Sequence, residues 1–334
     1  MKAIIPVAGV GTRLRPHTHT LPKVLLNVAG RPIIAHILDS LPGTRIDHVV
    51  FIVGYLKDLF ESWAREHYSN LRLDFVEQGE ILGLGHAVGL GLEEDDGEVM
   101  IILGDTIFDV DLKSVLQSPH SSLGVREVED ARRFGVVIEE NGFITDLIEK
   151  SPNPPSNRAI VGLYYIKNGA LLKKCIQEII RDNVTVKGEY QITDALKRMI
   201  QKGEKMTTFE VQGWYDCGTA DTLLDSNRHL LKQQHSVVRP LVADGVLSSF
   251  RKNNIIHSPV YIAPSAHIEN SIIGPYATIG EEAVIEGSII QDSIIDAKAS
   301  VQKAQLDRSI VGREALVRGT LKSLNVSDHS EVTF

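Results

Sequence analysis

Beyond residue 256 the chain follows a six-residue grammar. Ile262, Ile268, Ile273, Ile279, Ile285, Ile290, Ile295, Val301, Leu306, Val311 and Val317 recur every five or six positions, with small or polar residues between most of them. This is the hexapeptide pattern of a left-handed parallel β-helix, in which short strands stack coil upon coil. At about three hexads per coil, residues 257–325 supply roughly three to four coils.

The preceding 235 residues read differently. Apolar runs at 2–7, 48–54, 71–76 and 99–103 alternate with helix-period segments such as 31–41 and 57–68. Strands separated by helices imply a Rossmann-like α/β fold, a mixed and mainly parallel sheet covered by helices on both faces. Ligands of such sheets bind beyond the carboxyl ends of the strands. Later segments at 122–128, 135–140, 143–149, 159–166 and 206–211 read as strands, with Glu140-Asn141-Gly142 as a hairpin turn. Helices are expected at 168–181, 190–202 and about 219–234. The domain division is therefore 1–235 for a catalytic domain, 236–256 for a connector and 257–334 for the β-helix.

Composition narrows the function. The 334 residues carry 35 Lys and Arg against 43 Asp and Glu, a net charge of −8. An acidic chain that binds a polyanion must concentrate its cations locally, and bulk nucleic-acid binding is disfavoured. The two cysteines, Cys175 and Cys217, have no zinc-ligand spacing and suit a reducing compartment. No signal peptide or membrane span is legible, so the expected setting is the cytoplasm.

The cations gather near the start. The apolar run Ala3–Val7 ends in a loop containing Gly9 and Gly11, and Arg13, Arg15 and Lys23 follow closely. Gly9 and Gly11 leave room for phosphates, backbone N–H groups and Thr12 donate to phosphate oxygens, and Arg13 and Lys23 neutralise their charge. Leu14 stands where a dinucleotide fingerprint needs its third glycine, and no Gly-Lys-Ser/Thr follows. Further on, Asp105 follows the buried-looking strand Val99–Leu103 through Gly104, and a carboxylate at a strand end suits Mg²⁺.

The run Gly9-Val10-Gly11-Thr12-Arg13-Leu14-Arg15-Pro16, then Thr18 and Pro22-Lys23, resembles the signature of the sugar-1-phosphate nucleotidylyltransferases, or nucleotide-sugar pyrophosphorylases. Leu103-Gly104-Asp105, Phe134-Gly135-Val136, Glu149-Lys150, Val161-Gly162-Leu163-Tyr164, Gly188–Asp194 and Trp214–Thr219 extend the likeness to about residue 230. One departure is Ser151, an extra residue between Lys150 and Pro152. The resemblance implies that an NTP and a sugar 1-phosphate give an NDP-sugar and pyrophosphate, with Mg²⁺. It makes Arg13, Lys23, Lys150 and Asp105 the catalytic set, with Asp105 and Asp216 on the metal. It assigns Ala8, Gly9, Gly11, Thr12, Arg13, Gln78 and Gly83 to the nucleotide, and Gly135, Glu149, Lys150, Val161 and Trp214 to the sugar phosphate.

Substrate signals divide. Pro6–Arg13 and Gly83-Leu84-Gly85-His86-Ala87 resemble UTP–glucose-1-phosphate enzymes, whereas Arg15-Pro16, Glu189–Asp194 and Trp214–Thr219 resemble dTTP enzymes. A pyrimidine nucleotide and glucose 1-phosphate are favoured, with a mannose-1-phosphate guanylyltransferase as competitor. A β-helix that transfers acyl groups is another alternative, resting on His257, His267 and His329. A non-catalytic relative is a further one, but it would be expected to lose one of the charged groups. The β-helix is otherwise expected to build a homo-oligomer.

Overall fold

Strand Lys2–Pro6 organises the sheet, and the reason is its sequence: successive side chains point to opposite faces, and here both kinds are apolar. The structure, a computed structural model, describes residues 1–236 and 253–319. They divide into two units, one comprising Met1–Leu26 and Arg31–Thr222, the other Asn27–Gly30 and the chain from Leu223 onward.

In the first unit Lys2–Pro6 pairs in parallel with His48–Val53 on one side and Val99–Ile102 on the other. Arg72–Glu77 extends the sheet beyond His48–Val53, again in parallel. The direction then changes: Arg158–Ile166 runs antiparallel to Val99–Ile102, and Ser121–Glu127 runs antiparallel to it. Met206–Glu210 joins Ser121–Glu127 in parallel, and the hairpin Gly135–Glu140/Phe143–Glu149 attaches through Ala159 and Val136. The result is the mixed Rossmann-like sheet expected from the sequence.

The near-continuous apolar runs are explained by two cores. Ala3, Ile5, Phe51, Met100 and Ile102 pack on one face with Phe60 and Ala64 of the helix Lys57–His67 and with the helix Ile33–Leu38. Ile4, Val50, Ile52, Val99 and Ile101 pack on the other with the helices Leu84–Gly91, Gly169–Arg181 and Ile192–Gln201. Each fully buried side chain of this size contributes about 1.5–3 kcal/mol. The helix Gly169–Arg181 starts where Asn168 accepts a hydrogen bond from the Leu171 amide at 2.9 Å.

Two local features bring chemistry to the strand ends. Strand Arg158–Ile166 bulges between Ile160 and Tyr164, with Gly162 at φ 89°. A Cβ there would lie 2.4 Å from a Leu103 methyl, so only glycine fits. A two-stranded ribbon, Thr106–Asp109 against Gly213–Asp216, aligns Asp216 with Thr106 and so beside Asp105. The ribbon and the helix Leu84–Gly91 are absent from the sequence-based elements, because both are short and interrupt stretches with no sustained period.

The second unit contains three four-stranded parallel sheets, consistent with the expected left-handed β-helix. One ladder runs Ile256, Ile273, Ile290, Leu306, so successive coils are offset by 17 or 16 residues, not three full hexads. Ile262, Ile273, Ile279, Ile285, Ile290, Ile295 and Val301 are wholly buried, with Ala266, Ala277, Ala283 and Ala299 at the tight corners. The first coil strand, Ile255–Ile256, lies inside the stretch expected to be connector. Residues 237–252 of that connector lie outside the described residues, as do His329 and the rest of the chain after residue 319. The helix Ala220–Ser236 belongs to the second unit from Leu223 on.

Candidate active site

The strand ends of the first unit enclose a cavity of about 540 Å³. Arg13, Asp105, Glu149, Lys150 and Asp216 line it, together with Gly135, Val161, Trp214 and Thr193. Four segments that are far apart in sequence thus bring their charged residues to one place.

Lys23 sits beneath this group. Its ammonium is buried and donates to Asp105 Oδ2 at 2.6 Å. Its stem packs against Gly11, where a Cβ would come within 3.1 Å of Lys23 Cβ and of Thr18 Cγ2. Gly11 has φ 66°, and Thr18 closes the loop by donating to its carbonyl at 2.9 Å. The room made by Gly11 is therefore taken by the Lys23 stem, whereas Gly9 faces open space.

Asp105 and Asp216 stand at the same end of the ribbon, Asp216 opposite Thr106. The Cys217 amide donates to the Asp105 carbonyl at 3.2 Å, which ties the two segments together. Burial lifts the Asp216 carboxyl above its ordinary range; Asp105 adds to the rise, while Lys23, Arg13 and Arg133 oppose it. A Cβ on Gly218 would lie 2.9 Å from both Asp216 oxygens and 3.1 Å from the Arg13 guanidinium, so glycine is required for this crowding of charges. Two carboxylates in one partly buried site repel each other, and a cation between them relieves that. Mg²⁺ takes one or two carboxylates plus phosphate oxygens and water, so this donor pair fits a nucleotide-bound Mg²⁺. Among the described residues no cluster of three His, Cys, Asp or Glu could hold a metal without such a partner.

The opposite wall is built around Glu149. Thr193 donates to its Oε2 at 2.6 Å, and Lys150 Nζ lies 3.3 Å from its Oε1. A Cβ at Gly135 would fall 2.7 Å from Glu149 Oε2, so the glycine makes room for the carboxylate. Lys150 has φ 44°, an uncommon conformation for a residue with a Cβ, and its amide donates to the Phe134 carbonyl at 3.0 Å. Backbone strain held in this way is frequent at ligand sites. Trp214 meets Phe134 edge to face with ring centres 4.9 Å apart.

The residues expected to bind the nucleotide are placed differently. Ala8, Gly9, Gly11, Thr12, Gln78 and Gly83 do not line this cavity, although Arg13 does. Gln78 is buried and its amide nitrogen is 3.2 Å from His86 Nδ1, so the amide already has a partner inside the fold. Gly83 and Gly85, expected to clear space for a base, are pressed against Tyr190, whose carbonyl would lie 2.6 and 2.9 Å from a Cβ on each. Their missing side chains accommodate protein backbone. Cys217 is a buried free thiol.

Arg132, Arg133 and Lys187 in the cavity wall escaped the sequence reading, because they lie outside the strands and helices with no periodic signal; Thr193 stood within the Gly188–Asp194 string, where it read equally as a helix start. Arg132 is held by both oxygens of Asp130. Outside the site, His257 and His267 are exposed on the coils of the second unit.

Comparison with known proteins gives the chain a family. The family model described as nucleotidyl transferase matches residues 2–233. The bifunctional protein GlmU of Methanocaldococcus jannaschii is 35% identical over 74% of the chain, which spans 58% of that relative's length. The glucose-1-phosphate thymidylyltransferase of Streptomyces antibioticus is 29% identical over 99% of both chains. The crystal structure of a UDP-glucose pyrophosphorylase complexed with UDP-glucose covers 70% of this chain and 98% of its own, with a TM-score of 0.58 and 25% identity.

Proposed function

The chain belongs to the nucleotidyl transferase family, and we propose that it transfers a nucleotidyl group from UTP or dTTP to glucose 1-phosphate, releasing pyrophosphate. The observation that carries this reading is the convergence of Arg13, Asp105, Glu149, Lys150 and Asp216 on one cavity, with Lys23 bound to Asp105 at 2.6 Å.

In the proposed reaction a phosphate oxygen of the sugar phosphate attacks the α-phosphorus in line. The bond from that phosphorus to the β-phosphate bridging oxygen breaks, and pyrophosphate leaves with the electron pair. The nucleophile is already ionised, so no general base is needed. What remains is to bring two anions together, a task of positioning and charge stabilisation. Lys150 neutralises the sugar-linked phosphate, and Glu149, oriented by Thr193, accepts hydrogen bonds from sugar hydroxyls. Arg13 and Lys23 neutralise the triphosphate. Bound Mg²⁺, held by Asp105 and Asp216, would supply further charge neutralisation between the phosphates.

The pyrimidine assignment rests on relatives named for both thymidylyl and UDP-glucose chemistry, whose bases differ by one methyl group. A pocket distinguishes such a difference by about 1–3 kcal/mol, so both nucleotides are expected to react. We place the enzyme in the cytoplasm as a homo-oligomer built through its β-helix. Among the described residues no helix is long and apolar enough to cross a membrane.

A pyrophosphate-release panel tests the reading: UTP, dTTP, GTP, CTP and ATP against glucose, mannose, galactose and N-acetylglucosamine 1-phosphates. Release with UTP or dTTP and glucose 1-phosphate, dependent on both substrates, is expected. Release confined to GTP with mannose 1-phosphate would replace the assignment, and no release from any pair would end it.

A further inference from the structure

The site holds more positive charge than the reaction described above employs. Two of the assigned cations already face a carboxylate: Lys150 lies 3.3 Å from Glu149 Oε1, and Lys23 donates to Asp105 at 2.6 Å. Arg132 is also taken, with Nε 2.8 Å and Nη2 2.7 Å from the two oxygens of Asp130. Its neighbour Arg133 lines the same cavity and is exposed. Among the described residues its guanidinium has no ion pair and no hydrogen-bond partner.

The backbone that carries Arg133 is nevertheless fixed on both sides. Before it, Ala131 is buried and the Arg132 amide donates to Asp130 Oδ1 at 3.1 Å. After it, the Phe134 amide donates to the Ala131 carbonyl at 3.1 Å, and the Phe134 carbonyl accepts from the Lys150 amide at 3.0 Å. The Phe134 ring rests edge to face on Trp214 with centres 4.9 Å apart. A cation with a held backbone and an unengaged head group is ready to meet an anion that arrives with the substrates.

Its place in the cavity shows which anion. Burial raises the Asp216 carboxyl, and Arg133 is one of three cations, with Lys23 and Arg13, whose charge pulls it back down. Arg133 is thus within electrostatic reach of the carboxylate proposed to hold Mg²⁺. Through the Phe134 carbonyl it is also joined to Lys150, the residue proposed to hold the sugar-linked phosphate. The nucleotide α-phosphate and the sugar phosphate would meet between these two groups. A planar guanidinium donates to two oxygens at once in a fixed fork, which an ammonium does not.

We propose that Arg133 is a further catalytic residue: its guanidinium bridges the two reacting phosphates, donating to one oxygen of the sugar-linked phosphate and one of the α-phosphate as the bond between them forms. The proposal rests on the nucleotidyl transfer proposed above and adds a group to it. Arg133 stays protonated throughout, and the electron pair still leaves with pyrophosphate. Its contribution is to hold two anions at reacting distance and to neutralise the charge gathered on the α-phosphate oxygens in the transition state.

The test is steady-state pyrophosphate release by the full chain, with glucose 1-phosphate and whichever of UTP and dTTP the wild type uses, resolving kcat and both KM values. Arg133→Gln is expected to lower kcat roughly a hundredfold, the loss typical when a donor to the transition state is removed. Both KM values should stay within about threefold, because an interaction made chiefly in the transition state shows in kcat. Arg133→Lys keeps the charge without the fork and is expected to retain no more than about a tenth of the wild-type kcat. Arg133→Ala should regain activity when guanidinium ion is added and not when ammonium ion is added, a response that a merely structural role would not give. An Arg133→Gln variant within about threefold of the wild-type kcat, a wild-type rate for Arg133→Lys, or a loss confined to one KM would each overturn the proposal. Equal rescue by the two ions would refute the fork. Wild-type protein that released no pyrophosphate would refute the transfer reaction itself, whereas an active wild type with an unimpaired Arg133→Gln variant would refute the role of Arg133 alone.

Discussion

Asp216 shows how the site trades stability for chemistry. Burial, with Asp105 nearby, holds its carboxyl above the usual value of 3.8 despite three cations around it. In the ligand-free protein its charge therefore opposes folding at pH values above that range, and the penalty fades as the folded-state group takes up a proton. Asp216→Asn is predicted to raise Tm at pH 7 without nucleotide or metal, with a gain that shrinks toward pH 4, while abolishing turnover. A lower Tm at pH 7 would contradict this. Glu149 is a carboxylate with a hydrogen-bond donor beside it. Thr193→Val keeps the shape but removes the donor at 2.6 Å. The expected loss is about 1.5 kcal/mol, or roughly tenfold in KM for glucose 1-phosphate, with KM for the nucleotide unchanged. Equal effects on both substrates would place Glu149 elsewhere. At this scale the motif residues Arg13, Asp105, Glu149, Lys150 and Asp216 were legible because each stands in a distinctive local string. Arg132, Arg133 and Lys187 were not, because only folding brings their loops to the same wall, and Thr193 stood in a string that read equally as a helix start.

Among the elements, the sheet and the coils were the most readable parts. The runs around Ile4, Phe51 and Ile101 announce strands covered on both faces, and the branched residues after 256 announce stacked coils. The coil length was less readable: five-residue steps such as Ile285 to Ile290 and Ile290 to Ile295 shorten the repeat below three hexads, and sequence period alone averages over them. The ribbon that sets Asp216 beside Asp105 was hidden because strands of four residues carry too little pattern. The bulge at Gly162 was hidden because a lone glycine in a strand does not declare its φ of 89°. Gly162→Ala is predicted to destabilise the protein by about 1–3 kcal/mol, read as a lower chemical-denaturation midpoint, since its Cβ would strike Leu103. A neutral outcome would mean that the bulge is not constrained as described. Ile285→Ala, inside the coils, should cost about 2–5 kcal/mol through the cavity it leaves.

For the whole molecule, the division at residues 27–30 and 223 places more of the chain with the coils than the repeat alone announces. Read as a sequence, the β-helix is an element expected to build a homo-oligomer. In the structure Asn227 and Arg228 find their partners on the coils, at Thr278, Tyr276 and Asp292. Removing the coils would leave those groups of the helix Ala220–Ser236 without these partners, so truncation is predicted to lower the stability of that helix, read as faster exchange of its amides. The central claim remains that one cavity brings a sugar phosphate oxygen onto the α-phosphorus of an NTP. The most direct measurement is the phosphorus-31 spectrum of products formed from glucose 1-phosphate carrying ¹⁸O at every phosphate oxygen. NDP-glucose is expected to carry the label in its sugar-linked phosphate, including the bridging oxygen, and pyrophosphate is expected to be unlabelled. Label in the pyrophosphate, or an unlabelled bridge, would contradict it.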